Sequence, residues 1–210
     1  MKRIPVGGGL GGGSSDAAAT LIGLCRLWGL EMSDRDLISV AASIGTDVPF
    51  FLTGGTALLT GTGTKVEPLP DIAGYELLVV FPGVGVATAD AYARSGSPLT
   101  SALKISTMPP FRTNLAGNLD EEVETWVRAG NDLEPHARVL CPSIAEIEDR
   151  LQAAGASAAG MTGSGSAVFG IFRNAVAIQQ ALAEVRSIGF PVMRCSPLGR
   201  QEYRRRVGLD

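Results

Sequence analysis

The chain has 210 residues, 45% hydrophobic and 19% charged, with a net charge of −3, which describes a globular chain able to bury one core or two small ones. A negative net charge without a basic face excludes a nucleic-acid backbone as the main partner, and no apolar run approaches the roughly 20 residues that span a bilayer. With no apolar h-region near Met1, the expectation is a cytoplasmic protein with a small-molecule partner, no nucleic acid and no membrane.

The first informative stretch is Pro5-Val6-Gly7-Gly8-Gly9-Leu10-Gly11-Gly12-Gly13-Ser14-Ser15-Asp16. Six glycines in seven positions let backbone N–H groups converge on one small anion. Ser14, Ser15 and Asp16 are capping residue types, and Ala17 to Trp28 reads as the helix they start. A glycine loop feeding a helix N-terminus suits a phosphate. It is not a P-loop, because Gly13 is followed by Ser14 and no lysine stands where that motif needs one. The dinucleotide fingerprint is matched formally by Gly7, Gly9 and Gly12, with Glu31 downstream. In a run of glycines that match is nearly free, and Glu31 follows a predicted helix end rather than a strand. A flexible linker fits worse, since Pro5, Val6 and Leu10 are apolar.

Ser33 with Asp36 predicts a capping box, followed by an amphipathic helix through Ile44 to Gly45. Asp47 then lies in a turn, Gly45-Thr46-Asp47-Val48-Pro49-Phe50-Phe51, among apolar neighbours that can desolvate it. The residues alone leave two readings open, a tuned acid or a cap for a short helix from Val48. Gly54-Gly55 breaks the chain, and Thr56–Leu59 with Lys65–Leu69 predict an antiparallel pair around Gly61–Thr64. Turn residues place a boundary near Pro70, dividing the chain into 1–70 and 71–210. Tyr75–Phe81 is the strongest buried strand. A short helix over Thr88–Arg94 and a long loop or lid over Gly96–Asn118 follow. Leu119–Arg128, Asp132–Leu140, Ser143–Ala154 and Asn174–Ile188 read as helices, the third with Ser143 and Glu146 as a capping box. Ser157–Met161, Ala167–Phe172 and Val192–Cys195 read as strands. This order suggests a ferredoxin-like α+β layer. His136 has no second ligand at metal spacing and reads as an ordinary helix residue. Cys25, Cys141 and Cys195 read as reduced core thiols. Arg200–Arg206 reads as a solvated basic tail.

Three stretches, in this order, resemble the GHMP small-molecule kinases. Lys2 to Ala18 is similar to that family's ATP-phosphate loop. Gly45 to Phe51 resembles its catalytic-aspartate segment. Met161-Thr162-Gly163-Ser164-Gly165-Ser166-Ala167-Val168-Phe169 resembles its C-terminal glycine motif, and Asn131-Asp132-Leu133 a further family turn. The resemblance implies an α+β GHMP kinase fold, with part of a ribosomal-protein-S5-like nucleotide-binding domain over 1–70 and a ferredoxin-like domain over 71–210. It implies ATP and Mg²⁺ as cofactors, with transfer of phosphate to the 2-hydroxyl of a cytidine-diphosphate-linked methylerythritol in isoprenoid precursor synthesis. Pro5, Gly7, Gly8, Gly9, Leu10, Gly11, Gly12, Gly13, Ser14 and Ser15 would hold the ATP, with Ser14 near Mg²⁺. Asp47 would be the catalytic base and would touch the substrate. Gly163, Ser164 and Gly165 would form a nest on the substrate side, with Thr88 and Tyr92 in a segment that ends in an aromatic stacked on cytosine. Tyr92 reads equally well as an ordinary half-buried helix aromatic. Family chains carry an upstream segment with further strands, a lysine and an Asp-Gly-Tyr-His stretch. Lys65 and Lys104 stand in the wrong context to replace that lysine, so an N-terminally truncated kinase is expected. An inactive nucleotide-binding fragment, or a relative acting on homoserine or a mevalonate-type substrate, is the alternative. A homodimer is left open.

Overall fold

The computed structural model describes residues 4–86, 119–187 and 189–209. Contacts divide the chain into a helical unit, Gly11–Ala73 with Leu198–Asp210, and a sheet unit, Met1–Leu10 with Gly74–Pro197. This differs from a division at Pro70 because both ends are exchanged. The glycine-rich start has no core of its own and hydrogen-bonds into the sheet unit instead. The predicted helix over 88–94 and loop over 96–118 lie outside the described residues.

In the helical unit α1 spans Gly12–Leu27 and begins five residues before the predicted Ala17. Gly11 is its N-cap, with φ 63° and no side-chain cap. Ser14, Ser15 and Asp16 therefore lie inside the helix rather than capping it, and Ser15 Oγ donates back to Gly12 O at 3.0 Å. Sequence propensity resists helical glycine, but a glycine N-cap in the left-handed region imposes no Cβ clash, and Ala18 and Ile22 bury behind it. α2, Asp34–Ile44, is capped as its sequence predicts: Ser33 Oγ accepts from Asp36 N at 3.2 Å and donates to Asp36 Oδ2 at 2.7 Å. The short α3, Phe50–Thr53, follows Pro49. Ala18, Ile22, Ala41, Val48 and Leu52 make the buried core, with Phe51, Val207 and Leu209 packed around it. β1, Ala57–Thr60, and β2, Lys65–Pro68, pair antiparallel from Ala57↔Pro68 to Thr60↔Lys65, as the turn cluster predicted.

The basic tail is solvated only in part: Arg205 and Arg206 are exposed and pair with Glu202, whereas Arg200, Tyr203 and Arg204 are half-buried. Its residues form a last helix, Arg200–Val207, which docks on the helical unit. Tyr203 Oη donates to Phe51 O at 2.6 Å. Arg200 Nη2 donates to Thr56 O at 2.6 Å and Leu69 O at 3.0 Å, while Arg200 N donates to Asp71 Oδ2 at 2.6 Å. Gly54 is the notch that admits this helix: a Cβ there would stand 2.1 Å from Tyr203 Cδ1. Charge pattern missed the role because an arginine that satisfies buried carbonyls looks, in sequence, like one that faces water. Arg200→Ala is expected to destabilise the helical unit by about 2 kcal/mol, since two carbonyls lose a charged donor. Arg200→Lys should restore only part, because ammonium lacks the guanidinium fork. Urea unfolding of the two variants checks both, and an unchanged midpoint for Arg200→Ala would refute the clasp.

The sheet unit holds β3, Glu76–Val80, then α4, Leu119–Ala129, α5, Glu134–Leu140, and α6, Ser143–Ala153. β4, Ala158–Met161, β5, Val168–Phe172, α7, Ala175–Arg186, and β6, Val192–Cys195, complete it. The last helix of the chain, Arg200–Val207, is α8. The strand order is β4-β5-β3-β6, with every neighbouring pair antiparallel. Numbered within the unit this is 2-3-1-4, the ferredoxin-like arrangement expected. α6 and α7 cover it, and Leu78, Val80, Ile144, Ile147, Leu151, Phe172 and Ile178 fill the core.

Two predicted helix starts differ. α6 follows Pro142, with Ser143 already helical and no side-chain cap, because proline presets the φ a helix start needs. α5 starts at Glu134 rather than Asp132, because Asn131 Oδ1 accepts from Leu133 N at 3.0 Å and holds the chain in a turn. Asn174 caps α7 through Ala177 N at 2.7 Å. The three cysteines are free thiols, but only Cys141 is buried; Cys25 and Cys195 are partly exposed. His136 sits partly exposed on α5.

Candidate active site

In the sheet unit the first glycine loop is built against the second. Gly7 O accepts from Ser166 N and Val86 N, both at 3.1 Å, Gly8 O accepts from Ala167 N at 3.1 Å, and Gly9 O accepts from Thr162 Oγ1 at 2.8 Å. Gly7 and Gly9 both have φ of 70°. Three successive carbonyls are thus bound, and no N–H of Gly7 to Leu10 donates to another described residue. That leaves the donors of the loop available to an anion.

The second loop is itself braced. Asn131 Nδ2 donates to Gly163 O at 2.7 Å and to Met161 O at 3.4 Å, and Glu134 Oε2 accepts from Met161 N at 3.3 Å. Ser166 is fully buried, with its hydroxyl donating to Val84 O. The two loops meet so closely that a Cβ on Gly9 would lie 2.0 Å from Thr162 O, and one on Gly163 would lie 2.9 Å from Gly9 O.

In the helical unit the start of α1 supplies further donors. The first helical bond is Ser15 N to Gly11 O at 2.9 Å, so the N–H groups of Gly11 to Ser14 have no partner within the helix. No acidic residue lies in its first turn, and a Cβ on Gly13 would meet nothing within 4 Å. Unpaired donors, the positive helix end and open space together fit a phosphate. Gly11 packs on Phe51, whose Cζ would stand 2.7 Å from an added Cβ. Phe51 is four residues beyond Asp47, so α3 ties the aspartate turn to the start of α1.

Asp47 differs from both of its sequence readings. Val48 and Pro49 turn into the core, but Asp47 itself is exposed, so its apolar neighbours do not desolvate it. Nor does it cap a helix, since α3 starts at Phe50 without a side-chain cap. Its Oδ1 accepts from Thr46 Oγ1 at 3.3 Å. The β1–β2 turn lies beside it, with a Cβ on Gly63 placed 3.4 Å from Thr46 Cβ and 3.9 Å from Asp47 Oδ1.

Gly7, Gly8 and Gly9 are therefore brought together with Gly163, Ser164 and Gly165 in one unit. Gly11 to Ser15 and Asp47 belong to the other. Thr88 and Tyr92 lie outside the described residues. Among the described residues no group of three or more His, Cys, Asp or Glu side chains could hold a metal ion, and no helix is long and apolar enough to cross a membrane. Sequence reasoning missed the bracing by Thr162, Ser166 and Val86, and the side-chain clamp of Asn131. No spacing rule finds a hydroxyl that bonds a carbonyl 153 residues away.

Comparison with known proteins adds to this geometry. The family model for the GHMP kinases N terminal domain matches residues 1–55, and that for the GHMP kinases C terminal matches residues 112–189. The chain is 43% identical over 185 residues to the 4-diphosphocytidyl-2-C-methyl-D-erythritol kinase of Solibacter usitatus (strain Ellin6076), covering 86% of this chain and 57% of that protein. The chain thus spans less than two thirds of that relative. A crystal structure of 4-(cytidine 5'-diphospho)-2C-methyl-D-erythritol kinase matches with a TM-score of 0.69 and 33% identity, covering 92% of this chain and 68% of the other. A homoserine kinase from Cytophaga hutchinsonii matches with a TM-score of 0.70 at 22% identity, covering 96% of this chain and 69% of the other. That likeness speaks to the fold alone.

Proposed function

The chain belongs to the GHMP kinase family, and from that premise we propose that it serves the ATP-dependent phosphorylation of the 2-hydroxyl of 4-diphosphocytidyl-2-C-methyl-D-erythritol. The observation that carries the reading is the loop construction: three glycine carbonyls are bound by the 162–167 segment, which leaves the N–H groups of the loop to a phosphate chain. The identity to 4-diphosphocytidyl-2-C-methyl-D-erythritol kinases, 43% in one case, supports this substrate over homoserine or mevalonate.

In the proposed reaction the substrate hydroxyl oxygen attacks the γ-phosphorus of ATP, the bond to the β-phosphate oxygen breaks, and ADP leaves. Asp47 accepts the hydroxyl proton as the new O–P bond forms. Gly7 to Leu10, and the N–H groups of Gly11 to Ser14 at the start of α1, hold the phosphates. Ser14 is the proposed neighbour of Mg²⁺, which when bound neutralises charge on the phosphate oxygens. Thr162 holds Gly9, with Gly163 and Gly165 packed closely on it, and so fixes where those donors point. The nest they make toward the substrate is a further part of the proposal.

The experiment is titration of the 210-residue chain with ATP, followed by an ADP-release assay with the cytidine-diphosphate-linked methylerythritol, homoserine and mevalonate. Saturable ATP binding with turnover of the first substrate alone is expected. ATP binding without turnover would reduce the chain to a nucleotide-binding module. Absence of ATP binding would overturn the proposal.

A further inference from the structure

The last helix, α8, grips α3 at two successive carbonyls. Tyr203 Oη donates to Phe51 O at 2.6 Å across 152 residues of chain, and Arg204 Nη1 donates to Leu52 O at 3.4 Å. The Tyr203 ring is seated where Gly54 leaves room, since a Cβ there would stand 2.1 Å from Cδ1 and 2.8 Å from Cγ. Burial pushes the phenol above its usual pKa, so it stays a protonated donor at neutral pH.

Phe51 carries that hold in two directions. Backward along the chain, Phe51 N donates to Val48 O at 3.1 Å and Val48 N to Gly45 O at 3.2 Å, so Asp47 lies within two linked turns that end at the carbonyl Tyr203 binds. Sideways, the Phe51 ring packs on Gly11, with Cζ and Cε2 at 2.7 and 3.1 Å from the place of a Cβ. Gly11 is the N-cap of α1, and its carbonyl accepts the first helical bond from Ser15 N at 2.9 Å. Tyr203, Phe51, Asp47 and Gly11 all belong to the helical unit. One anchored residue thus joins the aspartate turn to the phosphate-facing start of α1.

We propose that Tyr203 is a positioning residue: its hydroxyl, acting through Phe51, sets the place of Asp47 and of the N–H donors at the start of α1. Phosphoryl transfer depends on where the base and the donors stand, so a small displacement at Phe51 acts on the rate. A hydroxyl that only adds stability would leave the rate of the folded chain unchanged. The role in turnover rests on the kinase reading above, whereas the placement of the turn does not.

The test is Tyr203→Phe in the full chain, which removes the hydroxyl and leaves the ring in the Gly54 notch. Amide hydrogen exchange is expected to quicken by about fivefold at Val48, Phe51 and Ser15, the equivalent of one ordinary hydrogen bond, while Leu37 of α2 and Val80 of β3 keep their rates. Turnover is expected to fall by about fivefold, with KM for the acceptor substrate within about twofold. Unchanged exchange at Val48 and Phe51, an equal rise throughout α1 and α2, or loss of the fold by circular dichroism would overturn the proposal, as would full turnover in the variant. Should the unaltered chain release no ADP, the kinase reading falls and the exchange rates alone decide the role of Tyr203.

Discussion

The Gly9→Ala substitution is expected to destabilise the sheet unit by about 3 kcal/mol or more and to weaken ATP binding by at least a hundredfold. Two costs add. A left-handed backbone, φ 70° at Gly9, disfavours any residue with a Cβ by about 1–2 kcal/mol. The added carbon would also stand 2.0 Å from Thr162 O and 2.9 Å from Gly165 N, both backbone atoms that no rotamer change can move away. Relief requires the two loops to part, which removes the Thr162 Oγ1 to Gly9 O bond at 2.8 Å and the alignment of the donors. Gly8→Ala is the control, since its Cβ would meet Pro5 O at 3.5 Å and the Phe81 ring at 3.6 Å, ordinary contacts. Urea unfolding and ATP titration of both variants compare them directly. If Gly9→Ala proves as stable and as tight-binding as Gly8→Ala, the paired-loop account fails.

The Asp47→Asn substitution is expected to lower turnover by about 10²–10⁴ while leaving ATP affinity within about twofold. Asparagine has nearly the same shape and keeps an oxygen to accept from Thr46 Oγ1, but it cannot take a proton from the substrate hydroxyl. Its exposed position means that the exchange removes no core contact, so stability should not change. A fall in both ATP affinity and turnover would instead point to a positioning role. Full turnover in the variant would remove Asp47 from the chemistry. The separate readouts matter because a loss through Gly9 acts on binding and stability, whereas a loss through Asp47 acts on the reacting step.

Local order was legible wherever one stretch of chain carries its own reason. Ser33 and Asp36 cap α2 because both partners lie within one turn. The β1–β2 pair is written in its own turn residues, and the four strands of the sheet unit follow apolar runs bounded by breakers. The α1 start was misjudged because its glycines are poor helix formers whose place is decided by what Ala18 and Ile22 pack against. Arg200 was misjudged because sequence shows the charge of an arginine and not the carbonyls it reaches, whereas Arg205 and Arg206 are exposed as the charge run suggests.

The candidate site divides along the same line. From sequence alone came the glycine loop, the aspartate turn and the second glycine motif, because each chemistry needs a compact pattern of residue types within a few positions. Tertiary structure decided that Gly7 to Gly9 are held by Ser166, Ala167, Val86 and Thr162, and that Asn131 and Glu134 brace the holding loop. It also decided that Asp47 is exposed and that Glu148 is buried on the core face of its helix. Patterns in sequence record what neighbours along the chain do to one another. Hydrogen bonds between loops some 150 residues apart, and the burial of one face of a helix, exist only after the chain has brought those surfaces together.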